Sequence, residues 1–247
     1  MEILGIDVGG SGIKGAIVDI EKGVFVGERF RIETPQPATI EVIAETISEI
    51  ADHFNYWGVI GCGFPSVVRQ GVVHTASNIH ESCIGVNANT LFSEKLGRKV
   101  VVFNDADTAG AAELKYGCVK NFQGLAVFLT IGTGIGSAVI HNGVLLPNSE
   151  LGHLYLSNGK KAEHFASDAV RKNEDLSRKE WGRRFNVVLE HIERLLYPDL
   201  IVLGGGTSKK FHKFEDSITI STPVKPAELL NNAGIIGGAL LASEYFS

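Results

Sequence analysis

The pattern of apolar and polar residues at the start of the chain predicts three β-strands and then a helix. Apolar residues alternate or cluster over 2–8, 13–19 and 24–32, as they do in strands that bury one or both faces. Beyond two prolines, the apolar side chains of residues 38–54 recur instead at the spacing of one helix face. Strands followed by an amphipathic helix are typical of an α/β protein.

The rest of the chain repeats this alternation of short apolar runs and helical segments. The uninterrupted apolar runs 100–103 and 200–203 are typical of parallel strands that are buried on both faces. Between them, residues 181–196 carry large apolar side chains on one face of a long helix, which follows a polar and charged stretch at 160–180. The other predicted elements are a strand at 57–63, a short hairpin at 67–73, and helices at 88–96, 106–116 and 233–246.

Two glycine-rich turns, each between two apolar strands, stand about half a chain apart. The first is Gly9-Gly10-Ser11-Gly12, shortly after Asp7, and the second spans 132–136, shortly after Thr130. Glycine permits positive φ and a close approach of the backbone to a ligand, and the exposed N–H groups of such a turn form an anion site. A single turn of this kind is equally explained as a β-turn without a ligand. Its repetition predicts two related lobes that face one cleft, the organisation of a phosphotransferase.

Polar residues that follow the predicted strands are candidates for ligand contact. Asn104 and Asp105 come directly after the strand 100–103, and ligands of open α/β sheets bind at the carboxyl ends of strands. Asp105 has a second interpretation as the N-cap of the next helix. Further candidates are Glu150 and His153, three residues apart, Glu163, the loop Gly204-Gly205-Gly206, and Asn78 in the polar loop 74–87.

Composition narrows the class of protein. A 247-residue chain with 44% hydrophobic residues, 21% charged residues and 29 glycines describes a globular α/β protein with many tight turns. No stretch approaches the roughly 18 continuous apolar residues of a membrane span, and the N-terminus enters a strand rather than a signal peptide. We therefore expect a cytoplasmic protein.

Cys62, Cys83 and Cys118 lack the spacing of disulfide or zinc motifs, so we expect reduced thiols.

Charge is distributed unevenly along the chain. The net charge of −5 argues against nucleic-acid binding, yet residues 160–213 hold 12 of the 23 Lys and Arg residues against 8 acids. A basic segment on an acidic protein favours a polyanionic substrate. The alternative is a set of solvated helix faces without a ligand.

Five short motifs occur in order along the chain. They are Asp-Val-Gly-Gly-Ser-Gly-Ile-Lys at 7–14, Phe-Asn-Asp-Ala-Asp at 103–107, Gly-Thr-Gly-Ile-Gly at 132–136, Glu-Leu-Gly-His at 150–153 and Leu-Gly-Gly-Gly at 203–206. In content and order they resemble the ROK sugar kinases over essentially the whole chain. Within that family, Leu-Leu-Pro-Asn-Ser-Glu-Leu-Gly-His and Leu-Gly-Gly-Gly-Thr-Ser-Lys-Lys are most similar to bacterial polyphosphate glucokinases.

The resemblance implies a fold and an activity. The fold is α/β and actin/hexokinase-like (ribonuclease H-like), with duplicated βββαβαβα-type lobes around a cleft. We expect the lobes to span residues 1–105, completed by the terminal helix 233–247, and residues 106–232. The implied activity is transfer of a phosphoryl group from polyphosphate, ATP or both to the 6-hydroxyl of glucose, with Mg²⁺, in a homodimer that binds neither nucleic acid nor membrane.

The resemblance also assigns roles to individual residues. It makes Asp105 the general base on the 6-hydroxyl, and Asp7 the residue that holds Mg²⁺ through water. The sugar contacts it implies are Asn78, Asn104, Asp105, Glu150, His153 and Glu163, a set of groups that suits hydroxyls because these both donate and accept. The phosphate or nucleotide contacts are Asp7, Gly9, Gly10, Ser11, Lys14, Thr130, Gly132, Thr133, Gly134, Gly204, Gly205 and Gly206.

The sequence departs from the family pattern at four places. The cysteine cluster that binds zinc in most members is absent, so we expect no structural zinc and no direct metal ligands. We also expect no DNA-binding extension of the kind that the repressor members carry. Ser11 replaces the usual threonine and keeps the hydroxyl. Cys83 replaces a tryptophan of the loop that contains Asn78, a change relevant to the sugar pocket and the donor.

Other functions remain open from the sequence. One is an ATP-dependent kinase for another hexose such as mannose. Two more are a catalytically silent sugar sensor and an ATPase of the same fold. The retained Asp105 counts against the sensor, and Glu150 and Glu163 count against the ATPase.

Overall fold

The computed structural model describes all 247 residues, Met1 to Ser247. The strands are β1 (Glu2–Gly9), β2 (Gly12–Asp19), β3 (Val24–Ile32), β4 (Ile60–Phe64), β5 (Val68–Arg69), β6 (Val72–Val73), β7 (Val100–Asn104), β8 (Leu125–Ile131), β9 (Ile135–His141), β10 (Val144–Leu146), β11 (Leu200–Gly204) and β12 (Val224–Pro226). The α-helices are α1 (Ile40–His53), α2 (Ala88–Leu96), α3 (Asp105–Tyr116), α4 (Ala162–Ala166), α5 (Asp168–Asn173), α6 (Arg178–Leu196) and α7 (Ala233–Tyr245).

The chain divides into two compact units. The first contains Met1–Ala112 together with Asn232–Ser247, and the second contains Glu113–Asn231. The first unit therefore takes both ends of the chain, because α7 packs on the sheet formed by the first strands.

The sheet of the first unit has the strand order β3-β2-β1-β4-β7. Strands β1, β2 and β3 are antiparallel neighbours, whereas β1, β4 and β7 run parallel. In this register Asp7 lies opposite Gly63, and Gly63 lies opposite Phe103. The carboxyl ends of β1, β4 and β7 consequently meet at one edge of the sheet.

Helix α7 approaches this sheet closely because glycines stand where the two backbones meet. A β-carbon added at Gly5 would overlap the carbonyl oxygen of Ile235, and one at Gly61 would overlap that of Gly238. Gly237 meets the backbone of Thr108 in the same way. The glycines of the C-terminal helix thus serve close packing, as their apolar surroundings predict.

The second unit repeats the strand order of the first. Its sheet runs β10-β9-β8-β11-β12, with β8, β9 and β10 antiparallel and β8, β11 and β12 parallel. The duplication predicted from the two glycine-rich turns is confirmed at the level of topology. The connection from β11 to β12 differs, since it contains only short 3₁₀ turns at 208–213 and 215–217.

The long helix α6 begins at Arg178, three residues before the predicted start. Ser177 and Glu180 form a capping box, in which the Ser177 hydroxyl accepts from the Glu180 N–H at 3.2 Å and the Glu180 carboxylate accepts from the Ser177 N–H at 3.0 Å. Its apolar face carries Trp181 and Phe185 into the core of this unit. The polar stretch before α6 holds the short helices α4 and α5. No helix of the chain has the length and apolar character needed to cross a bilayer.

Candidate active site

The first glycine-rich turn closes the β1–β2 hairpin and is bordered by a row of charges. Asp7 lies opposite Lys14, whose Nζ is 3.1 Å from Oδ2 of Asp7, and Lys14 lies opposite Arg31 on β3. The Arg31 guanidinium donates to the carbonyl oxygen of Ser11 at 2.5 Å, at the tip of the turn. One anion and two cations thus lie side by side across three strands. Gly9 and Gly10 lie in this turn.

Sequence reasoning missed Arg31. Strand register would have identified it, because the residue of the third strand that pairs with Lys14 also lies next to the turn. Alternation in the strand predicts which residues share a face, but the pairing partner depends on the bulge between Gly15 and Ile17.

Asn78 packs against this first turn. A β-carbon added at Gly10 would lie 3.5 Å from the β-carbon of Asn78, and the Thr34 hydroxyl donates to the Gly9 carbonyl at 2.5 Å. The polar loop 74–87 is therefore adjacent to the turn, and Asn78 is its contact. Cys83 of the same loop is buried in the apolar core, where burial raises the pKa of its thiol to about 11.

The end of β7 corrects one interpretation of Asp105. The N-cap of α3 is Asn104, whose Oδ1 accepts from the N–H groups of Ala106 at 2.9 Å and Asp107 at 3.0 Å. Its Nδ2 donates to the Ser66 carbonyl at 3.0 Å. Asp105 is the first residue of the helix, so the interpretation of Asp105 as the N-cap is wrong. Both polar atoms of the buried Asn104 amide are therefore used in hydrogen bonds that hold the protein structure.

Asp7 and Asp105 lie at the same edge of the first sheet. The strands that carry them, β1 and β7, are separated by β4 alone, so their axes are about 10 Å apart. On β4, Gly63 leaves room for the start of α3, because an added β-carbon would lie 2.8 Å from the Thr108 hydroxyl oxygen. The structure therefore brings both predicted carboxylates to the carboxyl ends of parallel strands.

The second glycine-rich turn lies between β8, which ends just beyond Thr130, and β9. The Gly132 N–H donates to the Gly134 carbonyl at 3.0 Å, and the Gly132 carbonyl accepts from the N–H of Ala169 at 3.2 Å. No atom lies within 4 Å of the position that a β-carbon would take at Gly132, whereas at Gly134 it would lie 2.5 Å from Oε2 of Glu163. Thr133 stands between these two glycines.

The glycines of these two turns do not use the positive φ that glycine permits. None of the glycines at 9, 10, 12, 132, 134 and 136 has a positive φ. Glycine serves instead to keep space open or to admit a neighbouring carboxylate, as at Gly132 and Gly134. The predicted closeness to a ligand does not depend on φ and stays a prediction.

Glu150, His153 and Glu163 come together beside the second turn. Nε2 of His153 lies 3.3 Å from Oε1 of Glu163, and its Nδ1 lies 4.0 Å from Oε2 of Glu150. Burial raises the pKa of Glu150; His153 opposes this rise, and the charge of Glu163 adds to it. Gly152 permits the approach, because a β-carbon there would overlap the Ile135 carbonyl on β9. The cluster offers carboxylate and imidazole groups suited to binding hydroxyls.

The third glycine-rich loop lies next to the base of the second turn. Gly204 pairs with Thr130 in the sheet, and Gly205 has φ +76° with its Cα facing the Ile131 backbone, where a β-carbon would lie 2.6 Å from the carbonyl oxygen. No atom lies within 4 Å of a β-carbon added at Gly206. The buried Thr207 hydroxyl has no hydrogen-bond partner in the protein.

The structure thus groups the predicted residues into two sets, one in each unit. The first set is Asp7, Gly9, Gly10, Ser11, Lys14, Asn78, Asn104 and Asp105. The second set is Thr130, Gly132, Thr133, Gly134, Glu150, His153, Glu163, Gly204, Gly205 and Gly206. No group of three or more His, Cys, Asp and Glu side chains has an arrangement that would hold a metal ion.

Known proteins resemble this chain in sequence and in structure. The family model described as the ROK family matches residues 3–169. Polyphosphate glucokinase of Mycobacterium tuberculosis (strain CDC 1551 / Oshkosh) is 49% identical over 237 residues, which are 96% of this chain and 89% of that protein.

Two solved structures share the fold. The inorganic polyphosphate/ATP-glucomannokinase of Arthrobacter sp. strain KM superposes with a TM-score of 0.96, at 41% identity and over 99% of each chain. A ROK family glucokinase of Streptomyces griseus has a TM-score of 0.85 over 99% of this chain and 100% of its own; at 22% identity it bears on the fold alone. The actin/hexokinase-like fold predicted from the sequence is confirmed.

Proposed function

The chain belongs to the ROK family, and from that premise we propose that it is a kinase that phosphorylates glucose at the 6-hydroxyl, with polyphosphate, ATP or both as the donor. The relatives named polyphosphate glucokinase and polyphosphate/ATP-glucomannokinase support both the acceptor and the donor, since they match nearly the whole chain at 49% and 41% identity. A phosphotransferase with an alcohol acceptor is also what the site residues favour.

The observation that carries the proposal is the contact of the second glycine-rich turn with groups that bind hydroxyls. The Glu163 carboxylate faces Gly134 of the turn and pairs with His153 on its other oxygen. A turn of exposed backbone suits phosphate, and the acid–imidazole cluster suits a sugar. Their adjacency within one unit is what a phosphoryl transfer to a sugar hydroxyl requires.

We assign the role of general base to Asp105. Its carboxylate accepts the proton of the 6-hydroxyl as that oxygen attacks the terminal phosphorus of the donor. The bond from this phosphorus to the bridging oxygen breaks, and the bridging oxygen leaves with ADP or with a polyphosphate that is one phosphate shorter. Asn104 positions it, because the Asn104 amide caps α3 and fixes the start of the helix. Glu150, His153 and Glu163 bind the other hydroxyls, with Asn78 as a further contact.

The glycine-rich turns take the donor phosphates in this proposal. Phosphoryl transfer depends mostly on positioning and on neutralising charge. Lys14, and with it Arg31, supplies positive charge next to the first turn, where Gly10 and Ser11 are exposed and Gly9 is partly exposed. In the second unit, Thr130, Thr133 and the glycines of its two loops have the same task.

The residues present fit a Mg²⁺ ion that is held mainly through water. Mg²⁺ usually keeps several waters and takes one or two carboxylates, and Asp7 offers one partly exposed carboxylate at the first turn. Gly234 leaves space there, since an added β-carbon would lie 3.1 Å from Oδ1 of Asp7. Asp7 would hold a bound Mg²⁺ through water, and the ion would supply positive charge against the donor phosphates.

We further propose a cytoplasmic homodimer that acts in sugar breakdown (glycolysis). We also propose that the chain functions as two lobes, residues 1–105 with 233–247 and residues 106–232. Size-exclusion chromatography with light scattering tests the dimer directly.

One assay tests the function. Purified protein is incubated with glucose and Mg²⁺ and with either ATP or long-chain polyphosphate, and glucose 6-phosphate is measured. We expect product with polyphosphate and with ATP. Absence of product with both donors would contradict the proposal and favour a sugar-sensing protein. Mannose belongs in the same assay, since the Arthrobacter relative is a glucomannokinase.

A further inference from the structure

Three cations surround one carboxylate at the start of α5. The Asp168 carboxylate accepts from Nε of Arg171 at 2.8 Å, and it pairs with Nζ of Lys172 and with Nη1 of Arg178, both at 3.1 Å. Asp168 is buried, whereas the Lys172 side chain is 66% exposed. We call these four residues the Asp168 cluster.

The Asp168 cluster carries more positive charge than is needed to neutralise its buried carboxylate. One guanidinium is enough to neutralise one carboxylate, so the cluster retains an excess of two positive charges. Two acids that follow α5 in the chain have partners outside the cluster: Glu174 pairs with Arg184 at 2.6 Å, and Glu180 caps α6 through Ser177. Burial lowers the pKa of Arg178; Asp168 opposes this effect and the charge of Arg171 adds to it.

The cluster is joined to the second glycine-rich turn by a backbone hydrogen bond. The N–H of Ala169, the residue after Asp168, donates to the Gly132 carbonyl at 3.2 Å. Lys172 follows Ala169 by three residues, about 4.5 Å along the helix axis. The excess cations therefore begin one helical turn from the backbone that we assign to donor phosphate.

We propose that the Asp168 cluster is a subsite for the distal phosphates of an inorganic polyphosphate chain whose reactive end lies at the 132–134 turn. This inference rests on the proposed function, because it presupposes polyphosphate as a donor. Asp168 holds the two guanidinium groups in place, and Lys172, which is exposed, is free to move toward the polyanion. Arginine and lysine bind phosphate through charge-assisted hydrogen bonds.

The subsite distinguishes donors by their length. A nucleoside triphosphate ends its phosphate chain at three groups, whereas long-chain polyphosphate continues past the turn. Loss of a cation in the cluster should consequently weaken the long donor more than the short ones. It should also reduce the salt sensitivity of the long donor, because screening acts on distributed charge contacts.

The test compares Lys172→Gln with Lys22→Gln in the full-length protein. Lys22 is a matched control: its side chain is 74% exposed and its Nζ lies 3.4 Å from an aspartate three residues away. KM is measured for ATP, tripolyphosphate and long-chain polyphosphate at low and at physiological salt. Lys172→Gln should raise KM for long-chain polyphosphate about fivefold relative to KM for ATP. Charge reversal by Lys172→Glu should enlarge the change, and Lys22→Gln should leave all three KM values at the wild-type level.

The outcomes separate the subsite from the proposed function. Should the wild type use long-chain polyphosphate while both Lys172 variants keep the wild-type ratio of KM values, the subsite is overturned and the proposed function stands. A wild type that turns over ATP but no polyphosphate overturns the polyphosphate donor and the subsite together. An equal rise in KM for all three donors also overturns it, because the cation would then act on phosphate in general.

Discussion

Gly134 faces the end of the Glu163 side chain: a β-carbon at 134 would lie 2.5 Å from Oε2 of Glu163, so a larger residue there would push the carboxylate aside. The other carboxylate oxygen of Glu163 lies 3.3 Å from Nε2 of His153. One side chain therefore touches the turn assigned to the donor and the imidazole assigned to the sugar. From this relationship we expect binding of one substrate to affect binding of the other.

Gly134→Ala should lower turnover and weaken glucose binding at the same time. The new methyl group displaces the Glu163 carboxylate, and a misplacement of this kind costs on the order of 10²-fold in rate. Steady-state kinetics with both substrates provides the measurement. Gly132→Ala is the comparison, because no atom lies within 4 Å of its added β-carbon. It should change the KM for the donor and leave glucose affinity unchanged. Equal glucose affinity in the wild type and in Gly134→Ala would contradict the coupling.

Asp105→Asn should reduce turnover by about two orders of magnitude or more while the protein stays folded. The amide keeps the shape of the side chain but cannot accept the proton of the hydroxyl. The melting temperature should change little, since Asn104 and not Asp105 caps α3.

The matched control for this variant is Asp107→Asn, another acid in the first turn of α3. It should retain turnover. Melting temperature, glucose affinity and turnover are measured on one preparation of each protein. Near-wild-type turnover of Asp105→Asn would falsify the assignment of the base.

Glu150→Gln should stabilise the fold and weaken glucose binding. The pKa of Glu150 is raised by burial, so its ionised form costs stability at neutral pH. The contribution of Glu150 to the free energy of unfolding is largest below its unfolded pKa and falls as pH rises through its folded pKa. The neutral amide removes this loss, so the melting temperature of the variant should exceed that of the wild type at pH 7.

The control for this prediction is Glu49→Gln, because Glu49 is an exposed acid of α1. This variant should keep the wild-type melting temperature and glucose affinity. Thermal unfolding from pH 4 to pH 8 tests the sign. A variant less stable than the wild type at pH 7 would show that the Glu150 charge contributes net stability through His153.

Activity with polyphosphate should fall as salt rises, and more steeply than activity with ATP. The reason is the excess of basic residues over 160–213, including Lys209 and Lys210 beside the third glycine-rich loop. The Debye length is about 8 Å at physiological salt, so contacts spread along a chain are screened. Initial rates at increasing potassium chloride provide the measurement, and identical salt profiles for the two donors would rule out this use of the basic segment.

The purified, tag-free protein should contain no structural zinc. His153 contacts two carboxylates and no thiolate, and the three cysteines are free thiols, of which Cys62 and Cys83 are buried. Elemental analysis after dialysis tests this expectation. Stoichiometric zinc that survives dialysis would mean that His153 has further ligands.

Much of the fold was predictable because its signals are local. The helix α1 follows from the spacing of Ile40, Ile43 and Ile47, all buried in the core. The buried strands β7 and β11 follow from uninterrupted apolar runs. The duplication was visible because each glycine-rich turn carries its own flanking strands.

The chemistry at the turns was harder to predict because it depends on contacts between distant residues. The sequence shows Asn104 next to Asp105 but not which of the two caps α3; the helix boundary decided that. The pairing of Arg31 with Lys14 depends on strand register beyond a bulge.

By itself, the sequence determined the order of the elements, the two glycine-rich turns and the kinds of side chain that follow the strands. These features depend on residues close together in the chain, where spacing and turn chemistry leave few alternatives. Only the tertiary structure decided that Glu163 lies against Gly134 and that Ala169 ties the Asp168 cluster to Gly132. Those contacts join segments more than twenty residues apart, and packing within the second unit, not local propensity, sets their distances.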